Sequence, residues 1–194
     1  DMEQIRNTYP LSGFRILIAS YAEALYSDKP LEPRNFVIKY AVERFGLSEK
    51  EGGELWKILA LSPELIVNGK PASSGSIREM RDSVALAVDR MKNLKPVRNV
   101  SEFEHLRLMV DIRDHYLAFK EIEAVYNSPG FSSGDRDKIK VDLEKLIKES
   151  GRLDRRFARL NRGFLYDTEI AEQNMIRNRK LNLLYERITG NREL

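Results

Sequence analysis

The sequence predicts an all-α protein, an antiparallel helical bundle of about three long helices preceded by a smaller N-terminal helical cluster. Three observations predict it. Apolar residues recur at three- and four-residue spacing over most of the chain, as one face of a 3.6-residue helix requires. A Ser followed three residues later by Glu precedes such stretches at Ser48/Glu51, Ser76/Glu79 and Ser101/Glu104; in this capping box each side chain satisfies the other residue's orphan backbone N–H. All seven prolines fall at or between the proposed helices, where a missing N–H breaks no helical hydrogen bond.

Taken in order, the first helix spans about Phe14 to Tyr26, with Ile16, Leu17, Ala24 and Leu25 supplying apolar contacts. After a turn at Pro30, Pro33 opens a second helix through Phe36, Val37, Tyr40 and Ala41, which Gly46 stops. Ser48 caps a third, carrying Leu55, Trp56, Ile58 and Leu59. The stretch SPELIVNGKPASSG is rich in Pro, Gly and Ser and marks a soft boundary between an N-terminal unit, residues 1–72, and a long-helix bundle, residues 73–194.

Beyond that boundary Ile77, Met80, Val84, Val88 and Met91 form one stripe, closed by Lys95 and Pro96. Ser101 opens a longer helix to about Tyr126 that is apolar on two sides, with Leu108, Ile112, Phe119 and Ile122 on one and Phe103, Leu106, Val110 and Leu117 on the other. It is therefore expected to be central. After the loop SPGFSSGD the chain has no further proline. One helix there uses Ile139, Leu143, Leu146, Leu153, Phe157 and Leu160, and a last one starts near Asp167 or Thr168 and runs to Gly190. No strand alternation of useful length and no internal repeat is present.

With 42% hydrophobic and 32% charged residues over 194 positions, the composition is that of a globular chain rather than a disordered one. The 33 basic and 30 acidic residues leave a net charge of only +3, too little to argue for nucleic acid. Cysteine is absent, which excludes disulfides, thiolate metal sites and a Cys nucleophile. No run reaches the roughly 18 apolar residues of a membrane span, so no membrane partner is expected. The compartment stays open.

No catalytic, cofactor or metal residue is assigned. His105 and His115, the two histidines, share the long central helix without the third ligand or the H-E-x-x-H spacing of a zinc site, and are expected to be partly buried and hydrogen-bonded. Nucleophile-elbow, Walker and dinucleotide glycine motifs are missing. Arg152, Arg155, Arg156, Arg159 and Arg162 recur on one side of their helix. That is what a solvated face looks like, and the competing reading is a stripe for an anionic polymer. Trp56, the single tryptophan, is a core or interface anchor, or a sugar-stacking platform if exposed.

The early segment YAEALYSDKPLEPRNFVIKYAVERFGLSEKEGGELWKILALSPELIVNG and the late segment RLDRRFARLNRGFLYDTEIAEQNMIRNRKLNLLYERI together resemble the C-terminal helical domain that follows the catalytic barrel in large bacterial glycoside hydrolases of the hexosaminidase type, family 20. The resemblance implies an accessory domain rather than a catalyst. Those enzymes use an adjacent Asp-Glu pair at a barrel strand end, and no two acidic residues are adjacent here. A (β/α)8 barrel also needs about 250 residues with a strand series. The implied parent would be periplasmic or extracellular, and the implied partner is the catalytic domain of the same polypeptide or a second copy of this chain. The alternative is a free-standing helical protein-interaction module. Residues before Ser73 hold Trp56 and Tyr9, Phe14, Tyr21, Tyr26, Phe36, Tyr40 and Phe45. The interface is expected on this segment, with Tyr21, Tyr26 and Trp56 as its candidate residues.

Overall fold

A computed structural model of the protein describes residues 15–61, 65–67 and 70–190. Among them are seven α-helices: α1 (Arg15–Tyr26), α2 (Pro33–Tyr40), α3 (Glu49–Leu59), α4 (Ser74–Asn93), α5 (Val100–Tyr126), α6 (Ser133–Asn161) and α7 (Asp167–Thr189). A π-helical turn, Ala41–Phe45, prolongs α2, and a two-residue antiparallel ladder pairs β1 (Ile66–Val67) with β2 (Lys70–Pro71). The fold is an all-α bundle. Tyr9, Phe14 and part of the SPELIVNGKPASSG stretch lie outside the described residues.

The helix starts follow local chemistry. Ser48 and Glu51 form the expected capping box, Glu51 N donating to Ser48 Oγ and Ser48 N to Glu51 Oε2. At the next two sites the structure differs from expectation. Ser73, not Ser76, caps α4 by accepting from Ser76 N at 3.1 Å. Asn99 precedes α5 in the left-handed region at φ 46°, and its amide donates to Arg44 O at 2.7 Å instead of capping. A box absent from the expectation joins Ser132 and Asp135 at the start of α6, where the shorter Asp replaces the Glu or Gln of the usual pattern. Gly46, at φ 68°, ends the π turn as expected; a Cβ there would also lie 2.5 Å from Val97 Cγ2.

Side-chain bonds fix the helix directions. In α4 and α5, Arg78 reaches Glu121 while Arg107 donates to Leu94 O, so the start of one meets the end of the other. Likewise Arg156 pairs with Glu104 and Asp111, and His115 bonds Leu146 O at 2.9 Å, across α5 and α6. Asp154 with Arg177, Glu144 with Tyr185 and Arg136 with Ile188 O align α6 against α7. All three neighbouring pairs are antiparallel, and α5 is sandwiched as its two apolar sides demand.

The largest core cluster unites Phe36, Val37, Ala41, Phe45, Leu55 and Ile58 with Ala87, Met91, Leu94, Phe103, Leu106 and Val110. Apolar packing therefore runs continuously across the boundary placed at residues 72 and 73. Phe45 and Phe103 meet edge to face, with centroids 5.0 Å apart. Separate clusters hold α5, α6 and α7 together through Leu143, Leu181 and Ile188, and through Leu108, Phe157 and Ile170.

Candidate interaction surface

Helix α1 turns its apolar side outward. Ile16 is buried and Ala19 packs with it on the N-terminal core. Leu17, Ile18, Tyr21, Leu25 and Tyr26 are 57–87% exposed. At 100° per residue, Leu17, Ile18, Tyr21, Ala24 and Leu25 fall within an arc of about 120°, opposite Ile16 and Ala19. A single exposed leucine is unremarkable in a globular protein, whereas a contiguous apolar face marks a contact surface.

Of the sequence-predicted interface residues, Tyr21 and Tyr26 both lie exposed on α1. Trp56 does not join them at the surface; it is half-buried on α3, packed on the N-terminal core. Phe36 and Phe45 are buried in the same core, and Tyr40 is partly buried against it. Leu17, Ala24 and Leu25, expected to supply core contacts, are solvent-facing instead. The three consecutive apolar residues Ile16, Leu17 and Ile18 were the available signal, because one buried stripe cannot absorb all three.

A buried carboxylate holds this region to the bundle. Glu102, 8% exposed at the start of α5, accepts from the Tyr40 hydroxyl at 2.6 Å and from Arg44 Nε and Nη2 at 3.0 and 2.8 Å. Arg15 Nη1 stands 4.0 Å from the same carboxylate, so α1, α2, the π turn and α5 converge on it. Burial, reinforced by the Glu102 hydrogen bond, pushes the Tyr40 phenol above its ordinary range.

A second polar cluster lies between α4, α5 and α6, around a cavity of about 280 Å³ lined by Met91, Glu104, Arg107, Asp111 and Arg156. Arg156 bridges Glu104 and Asp111, and Arg107 pairs with Glu104. Burial pushes the carboxyls of Asp111 and Asp114 upward, against the pull of Arg156 and Arg81 respectively. The Asp111, Glu104 and Arg156 charges are occupied with one another, which is what helix cross-links require. No group of three or more His, Asp or Glu that could hold a metal occurs among the described residues.

His115 is buried and hydrogen-bonded as expected. His105 is buried more deeply than expected, at 1% exposed, and meets the Leu160 backbone without a well-formed hydrogen bond. Burial pushes its pKa below the ordinary histidine value, only partly opposed by the Leu160 backbone and the Glu102 carboxylate.

In the arginine row, Arg156 turns inward to its ion pairs, while Arg152, Arg155, Arg159 and Arg162 are exposed. Among the described residues no helix is long and apolar enough to cross a membrane. Comparison with protein-family models, with curated proteins and with solved structures found no match.

Proposed function

We propose that this chain is a non-catalytic helical accessory domain of a carbohydrate-cleaving glycoside hydrolase, docking through α1 on the catalytic barrel of the same polypeptide. The outward apolar face of Leu17, Ile18, Tyr21 and Leu25 carries the docking half of this reading, since it offers a neighbour more apolar surface than a free-standing helix keeps in water. Ile16 and Ala19, packed on the N-terminal core, support it by seating α1 on the bundle with that face outward. The glycosidase half rests on the sequence resemblance.

Two experiments test the halves separately. Hydrogen exchange of the α1 amides is compared between this chain alone and the full open reading frame that encodes it; slower exchange in the longer product supports docking, and equal exchange sinks it. Aryl N-acetylglucosaminide hydrolysis is measured on both. Activity in the longer product alone supports the glycosidase reading, and activity in neither removes it.

Self-association through the same face is the second reading, favoured by its symmetry. Leu17 and Leu25 each stand four residues from Tyr21, so two antiparallel copies would set Leu17 against the partner's Leu25 with the tyrosines on the two-fold axis. A solution mass that is monomeric at high concentration rejects it.

A further inference from the structure

We draw no further inference here: the strongest candidate, the groove of about 350 Å³ between α4, α5 and α6 lined by Arg78, Arg81, Glu121, Asp142 and Lys145, has its charges paired with one another, Arg78 and Arg81 with Glu121 and Lys145 with Asp142, and nothing in the structure shows what covers it.

Discussion

The hydroxyl of Tyr40 donates to Glu102 across 62 residues of sequence, at 2.6 Å, joining the end of α2 to the start of α5. Arg44 donates twice to the other carboxylate oxygen, so both oxygens of the buried Glu102 are hydrogen-bonded. Removing its charge while keeping its shape, in Glu102→Gln, is expected to destabilise the chain by about 1–3 kcal/mol, the range for hydrogen bonds to charged groups. Tyr40→Phe is expected to cost about 1 kcal/mol. Urea unfolding measures both, and no loss in either would show the network to be incidental.

His105 makes stability depend on acid. Its folded pKa lies below the unfolded value of about 6.5, so the unfolded chain binds a proton that the fold refuses, and the contribution present above that pH is lost as pH falls through it. Asp111 and Asp114, pushed upward by burial, act in the opposite direction nearer the carboxylate range. The difference between the wild type and His105→Leu isolates the histidine. The wild type is expected to lose stability relative to the variant from about pH 7 to about pH 5, and parallel denaturation profiles would refute this.

On α1 the two faces respond oppositely to substitution. Ile16→Ala, inside the core, is expected to cost about 2–4 kcal/mol. The double change Leu17→Gln/Leu25→Gln is expected to shift stability by no more than about 0.5 kcal/mol, while lowering binding of an apolar dye. A large loss in the double variant would place those leucines in the core.

In the arginine row the contrast lies between neighbours. Arg152→Gln/Arg155→Gln is expected to leave the melting midpoint nearly unchanged, since exposed charges contribute at most about 1 kcal/mol each. Arg156→Gln strips Asp111 and Glu104 of their shared partner and is expected to cost about 1–3 kcal/mol. Calorimetry on the two proteins separates these outcomes.

Periodicity made the helices legible in the sequence, because burial of a face imposes its spacing on the residues: the two-sided pattern of α5 foretold its central place. Start signals were less secure. Ser76 and Ser73 carry the same hydroxyl, and which of them caps α4 depends on where the chain leaves the β1–β2 ladder. The surface on α1 was half legible. Tyr21 and Tyr26 stood out as aromatics, but Leu17 and Leu25 are indistinguishable by residue type from core leucines, and only the position of α1 on the bundle shows them facing water. Long-range partners such as Tyr40 and Glu102 leave no mark in a single sequence. Nor does the near-complete burial of His105, where partial burial is expected.

The antiparallel order of α4 to α7, each helix packed on the one made just before it, bears on how the chain comes into being. Helical hairpins of consecutive elements close through local contacts and form early, so α4 can settle on α5, α5 on α6 and α6 on α7 as each leaves the ribosome. The N-terminal helices have a different timetable. Phe45 finds Phe103, and Tyr40 and Arg44 find Glu102, only after the start of α5 has been synthesised. Until then a nascent chain exposes the apolar side of the N-terminal helices that Phe103, Leu106 and Val110 of α5 will cover.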